Sequence, residues 1–320
     1  MVGSLEIERR SCGRSGLTIP RVALGCGNFG GVGSSPAWFR HGLDEAQARE
    51  LMDAAWALGL THFDTADAYG GGRSEQMIGN WIRSRGIRPT LTTKTYNPMS
   101  EGADHGLAPE RIARQLHSSL QRLGVESVEL YLAHDFDPEV PLADTLAAFE
   151  SHAAGGAFRA YGVSNFNAGQ LEQAFENGAP QAVQNAHSLL ERGDEREVLP
   201  LCAEHQLAYL AFSPLSGGWL TGKYRRGEAY PQGSRMTQRP EPYAPLLDDA
   251  TFTALEALEA FAIERAMSMA AVALAWLLAD DRVTQIVLGP GRPEHLDPLR
   301  EALEHPLDAQ DRARLGSMFA

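Results

Sequence analysis

The chain has 320 residues, 43% of them hydrophobic, and 28 basic against 41 acidic side chains leave a formal charge of −13. That length and apolar share allow two domains or one large barrel, and the acid excess argues against the basic face needed to track a nucleic-acid backbone. The longest strongly apolar stretch, AAVALAWLLA, has ten residues, too few to cross a bilayer.

Near the start, Glu6, Glu8, Arg9 and Arg10 stand where a secretion signal needs an apolar core. Residues 5–20, LEIERRSCGRSGLTIP, read as a small hairpin. RVALG follows as a first strand and leads into GCGNFG, where Gly25, Gly27 and Gly30 have G-x-G-x-x-G spacing. A dinucleotide fingerprint of that kind needs a helix to open at once, so that its amides meet the pyrophosphate. Here more glycine, two serines and Pro36 delay helical periodicity to Asp44, so the run reads as a strand-to-helix loop. A helix is predicted over residues 44–58, capped by Asp44, and another over residues 109–123, with Pro in its first turn and Gly124 as its stop.

Further strands are expected at THFDT, TLTTK, VELYLAH, AYGVS, QAVQNA, LAYLAFS and TQIVLG. Eight strands alternating with helices predict a (β/α)8 TIM barrel, taken as one domain over residues 1–320, with the hairpin closing its floor. Residues 224–249 are rich in Gly, Pro, Tyr and Arg and read as a lid or flap.

In a barrel, reactive side chains gather where strands end. Those ends give Asp64, Lys94 and His134, with Tyr69 in the loop after Asp64. The chain has only two lysines, Lys94 and Lys223, amid abundant arginine, and lysine alone offers a compact ammonium. An Asp–Lys pair beside a phenol is an acid device: the ammonium is expected to lower the Tyr69 pKa from about 10. A Schiff-base role for Lys94 and a metal-dependent hydrolase are the competing chemistries. The ten histidines are scattered with no H-x-H or H-E-x-x-H, so no metal is expected. Cys12, Cys26 and Cys202 make no disulfide framework, which suits a reducing cytoplasm.

FDTADAYGGGRSE, LTTK, ELYLAHDFD, YGVSNF and AFSPLSGGWLTGKY, in this order, resemble the aldo-keto reductase superfamily, over residues 9–303. The resemblance implies a barrel that binds NADPH without a Rossmann domain. Tyr69 would be the general acid, tuned by Lys94 and Asp64, with His134 orienting the substrate carbonyl. Ser164, Asn165 and Gln184 would clamp the nicotinamide carboxamide, and Phe212 would stack on its ring where Tyr is usual. Ser213, Leu215, Gly217 and Lys223 would wrap the pyrophosphate. Gly289, Gly291, Arg292 and His295 would face the adenosine 2′-phosphate. His295 stands where Gln is common and Leu299 where Asn often holds the adenine, two departures from the family pattern. Gly27 and Asn28 would approach the reactive end of the cofactor, and Phe29, Tyr96 and Phe136 would line the substrate pocket. The expected partner is a small-molecule carbonyl compound, with no nucleic acid and no membrane; length and charge leave a homo-oligomer open. A sugar or keto-sugar reductase or dehydrogenase on the same site, and a redox-sensing NADPH-binding regulatory subunit, are the alternatives.

Overall fold

The alternation of short apolar strands with amphipathic helices closes the sheet on itself. In the computed structural model, which describes residues 5–319, β1 (Arg9–Ser11) and β2 (Thr18–Pro20) form the expected antiparallel hairpin, with Arg10 opposite Ile19. Then come β3 (Val22–Gly25), α1 (Glu45–Leu58), β4 (His62–Asp64), α2 (Arg73–Arg85), β5 (Thr90–Thr95) and α3 (Pro109–Leu123). The middle of the chain adds β6 (Val128–Ala133), α4 (Leu142–Ala154), β7 (Phe158–Ser164), α5 (Ala168–Asn177), β8 (Ala182–Ala186), α6 (Val198–His205) and β9 (Ala208–Phe212). The last part holds α7 (Arg235–Gln238), α8 (Asp249–Glu264), α9 (Met269–Leu278), β10 (Gln285–Leu288), α10 (Asp297–Glu304) and α11 (Ala309–Met318). Strands β3 to β10 lie parallel in chain order, and β10 pairs back onto β3 with Val287 beside Ala23. The fold is a (β/α)8 TIM barrel with an N-terminal hairpin.

Local chemistry sets the helix ends. Asp44 accepts from the Gln47 amide at 2.9 Å while the Gln47 side chain accepts from the Asp44 amide, a reciprocal cap that starts α1. Gly59 ends it at φ 104°, a conformation that suits glycine. The apolar run in α9 is buried from Met269 to Leu277, as a helix apolar on all sides must be. Among the described residues no single helix is long and apolar enough to cross a membrane.

The barrel interior is filled from below. Cys12, Leu17 and Ile19 from the hairpin segment cluster with Leu130, Leu132, Ala160, Ala182, Ala208 and Leu210. Another buried group joins His62, whose Nε2 lies 2.8 Å from Thr92 Oγ1 and whose Nδ1 lies 2.8 Å from Gln285 Nε2. Burial lowers the His62 pKa to about 3, so this imidazole stays neutral and structural. Side chains alternate along a strand, so Asp64 shares the His62 face of β4 and Lys94 shares the Thr92 face of β5. The layer above the neutral one is therefore charged.

Candidate active site

Lys94 Nζ donates to Asp64 Oδ1 at 2.5 Å and to the Thr65 carbonyl at 2.9 Å, and it lies 3.4 Å from Tyr69 Oη. The Lys94 side chain is 0% exposed and that of Asp64 3%. Burial pulls the Lys94 pKa down, but Asp64 and Tyr69 outweigh it and the net shift is upward, so the ammonium persists. The His134 ring meets Tyr69 edge-on, centroids 5.4 Å apart. Burial first, then Lys94, hold the His134 pKa well below its ordinary value. His134 is thus a neutral imidazole, fitted to orient a carbonyl and not to supply a proton as imidazolium.

Tyr69 corrects one expectation. Its pKa is raised: burial of the phenol is the largest cause, Lys94 opposes it, and Asp64 adds to the rise. The ammonium acts in the expected direction but loses to desolvation, so Tyr69 rests as a protonated donor.

Behind this layer stands a network that sequence reading missed. The outward threonines of β5 each donate to a buried carboxylate, Thr93 to Glu75 at 2.6 Å and Thr95 to Asp67 at 2.7 Å. Arg122 pairs with Glu75 at 2.7 Å, and Arg111 donates to Thr95 Oγ1 at 2.9 Å. The Asp67 amide also bonds the Lys94 carbonyl at 2.9 Å, tying the Tyr69 loop to the lysine strand. Burial raises the Asp67 carboxyl to about 7. An acid whose folded pKa exceeds its unfolded one loses native stability as pH climbs from about 4 through about 7. Asp67→Asn should therefore melt above the parent protein at pH 8, the gap closing towards pH 4; a pH-independent difference in Tm would refute this.

Gln184 Nε2 donates to Asp64 Oδ2 at 2.8 Å. Ser164 Oγ donates to the Gln184 carbonyl at 2.7 Å, and Asn165 Nδ2 donates to the His134 carbonyl at 2.9 Å. The amide donors of this trio are engaged within the protein, so Asn165 Oδ1 and Gln184 Oε1 are the groups suited to accept from a carboxamide. Asn165 sits at φ 62°, Ser213 at 55° and Ser216 at 45°, left-handed backbone that costs non-glycine residues energy. Gly217 at 63° and Gly218 at 96° continue the turn. Runs of such residues form concavities of backbone amides that suit anions. Lys223 Nζ folds back over Gly218, and Tyr243 from the flap segment packs on Gly217. Residues 224–249, expected from composition to form a lid or flap, contain α7 and a 3-10 turn at Glu241–Leu246. Leu215 and Phe212 are half-buried beside this turn.

At the end of β10, Gly289 and Arg292 are exposed and the Gly291 amide donates to His295 Nδ1 at 3.2 Å. Among the described residues Arg292 pairs only with the exposed Glu294, at 3.5 Å. Leu299 is buried in the core. Gly27 faces the Tyr69 ring, and Asn28 donates to the Pro290 carbonyl at 2.8 Å while its buried Oδ1 has no partner among the described residues. Phe29 departs from expectation: the Phe29 amide turns back onto Cys26 and the ring is fully buried in the core cluster. Tyr96 and Phe136 are half-buried on the loops, against His105 and Phe166.

Among the described residues His187, Glu195 and Asp280 bring possible metal-ligating atoms within 4.8 Å of one another. Arg192, Arg282 and Arg312 already pair with those carboxylates. Three guanidiniums make a poor place for a cation.

The family model described as "Aldo/keto reductase family" matches residues 21–319. The oxidoreductase YrpG of Bacillus subtilis is 34% identical, covering 98% of this chain and 96% of its own length. The L-glyceraldehyde 3-phosphate reductase of Escherichia coli K12 is 31% identical, with 94% and 88% covered. The solved glycerol dehydrogenase of Gluconobacter oxydans superposes with a TM-score of 0.80 at 25% identity, over 95% of this chain and 92% of that one.

Proposed function

The chain belongs to the aldo/keto reductase family, and from that premise we propose that it is an NADP(H)-dependent oxidoreductase reducing small aldehydes or ketones to alcohols. The observation that carries this reading is the Lys94 ammonium set between Asp64 and the Tyr69 hydroxyl, with the neutral His134 ring beside it. NADPH, when bound, supplies hydride to the carbonyl carbon. Tyr69 Oη donates its proton to the carbonyl oxygen, and Lys94 stabilises the phenolate left behind. His134 holds the carbonyl by hydrogen bonding, and the reverse reaction uses the same groups.

The residues present fit the cofactor. The positive-φ turn at Ser213–Gly218 with Lys223 suits a pyrophosphate. Asn28 Oδ1, unpartnered among the described residues, suits a hydroxyl near the mouth, and the half-buried Phe212 at the end of β9 suits stacking on the nicotinamide. Arg292, held only by an exposed glutamate, suits the 2′-phosphate. The reduced, buried cysteines suit a cytoplasmic enzyme whose partner is a small molecule.

Arg292→Ala should weaken NADPH roughly 10–100-fold, the worth of one or two bonds to a charged group, and leave NADH nearly unchanged. Equal losses in Kd for both cofactors would remove Arg292 from the phosphate. The reading as a whole is tested by following NADPH consumption against aldehydes, ketones and free sugars; bound cofactor with no turnover on any of them would favour a sensor.

A further inference from the structure

The two loops that flank Lys94 and His134 share one charge sign. Residues 96–108, after β5, carry Glu101 and Asp104 and no lysine or arginine. Residues 134–141, after β6, carry Asp135, Asp137 and Glu139, again without a cation. Asp104 is spent on Arg114. Asp137 is spent on the amides of Leu107 and Glu139, at 2.7 and 2.9 Å. Asp135 is different. It directly follows His134, is half-buried, and accepts at Oδ1 from the Phe136 amide at 2.8 Å. Among the described residues its other oxygen has no hydrogen-bond partner. Burial first, then the charges of Asp137, Asp135 and Glu139, raise the hydroxyl pKa of Tyr96, two residues beyond Lys94.

Arg111 and Arg114 of α3 answer part of the first loop's charge, Arg111 donating to the Asn97 and Gly106 carbonyls at 2.8 and 3.0 Å and Arg114 pairing with Asp104; two further cations stand elsewhere. Arg235 and Arg239 act on Tyr243, which packs on the Gly217 turn, and Arg239 also reaches Gly33 in the loop after β3. Arg235 and Arg239 thus put positive charge beside the turn suited to a pyrophosphate, while the loop that begins at His134 keeps three acids and no lysine or arginine of its own.

We infer that this acidic flank makes the site select uncharged, hydroxyl-bearing carbonyl compounds over phosphorylated or carboxylated ones, with Asp135 as the specificity-determining residue. The inference rests on the reductase reading. A carboxylate one residue from the carbonyl-orienting imidazole accepts a hydrogen bond from a substrate hydroxyl and repels a second anion. At low salt and a few ångströms that repulsion is worth a factor of roughly ten in a half-exposed setting.

The test compares glyceraldehyde with glyceraldehyde 3-phosphate, on the NADPH-loaded protein, at low and high ionic strength, in the parent and in Asp135→Asn. Asparagine keeps the acceptor for the Phe136 amide, and the salt series on the parent needs no variant. The expected result is a kcat/KM at least tenfold higher for the neutral aldehyde at low salt. The gap should narrow with added salt and in the variant, through a lower KM for the phosphorylated substrate. Equal or better use of the phosphorylated aldehyde, or a ratio moved by neither salt nor variant, overturns the inference while leaving the reductase reading intact. Failure to reduce any aldehyde or ketone with cofactor bound overturns both.

Discussion

Tyr69→Phe is expected to leave NADPH binding unchanged and to lower carbonyl turnover by roughly 10²–10⁴-fold, the usual worth of a positioned acid. The substitution removes one oxygen from a ring whose packing against Gly27 and His134 involves its carbons. Its structural cost is therefore small, and the loss should appear in kcat with the Kd for NADPH unmoved. No other side chain can take over: His134 is held neutral and the Lys94 ammonium is fixed by Asp64 and the Thr65 carbonyl. Turnover near that of the parent would remove Tyr69 as the acid.

Lys94→Met should be costly twice. It leaves Asp64 as a buried carboxylate held, among the described residues, by the Gln184 side chain alone, at 2.8 Å, and breaking a buried pair from one side costs about 3–5 kcal/mol. It also removes the charge that stabilises the Tyr69 phenolate. The two losses can be separated. In Lys94→Met with Asp64→Asn the buried charge is gone, so much of the stability should return while turnover does not. Denaturant unfolding and kcat on the same preparations read the two effects independently. If the double variant recovered turnover along with stability, Lys94 would be a packing residue and nothing more.

The barrel and its charged layer were legible in the sequence for a common reason. Strands that end in Asp64, Lys94 and His134 place polar groups at one end of otherwise apolar runs, and parallel topology sends those ends to one face. What stayed hidden depends on register or on backbone torsion. Thr93 and Thr95 look like ordinary strand residues until alternation turns them outward onto Glu75 and Asp67. Gln184 was read as a cofactor ligand, and its bond to Asp64 crosses the barrel between residues 120 positions apart. The left-handed serines at 213 and 216 carry no local signature, since serine seldom adopts that conformation. Phe29 was misplaced because a glycine-rich loop does not disclose which way it folds, and this one turns its ring inward. The Tyr69 shift went the other way because depth of burial cannot be read from neighbours in a motif.

The seam between the first and last barrel strands joins Val22 to Ile286 and Leu24 to Leu288, which sets a timetable for synthesis. Asp64, Tyr69, Lys94 and His134, the four side chains of the proposed catalytic layer, all leave the ribosome within the first half of the chain. The ring of strands that presses them together has no closing member until residues 285–288 emerge. Contacts so distant in sequence form late and slowly. A nascent chain therefore carries all four proposed catalytic side chains before they are pressed into one site, and its unpaired β3 edge is the surface a chaperone would need to cover.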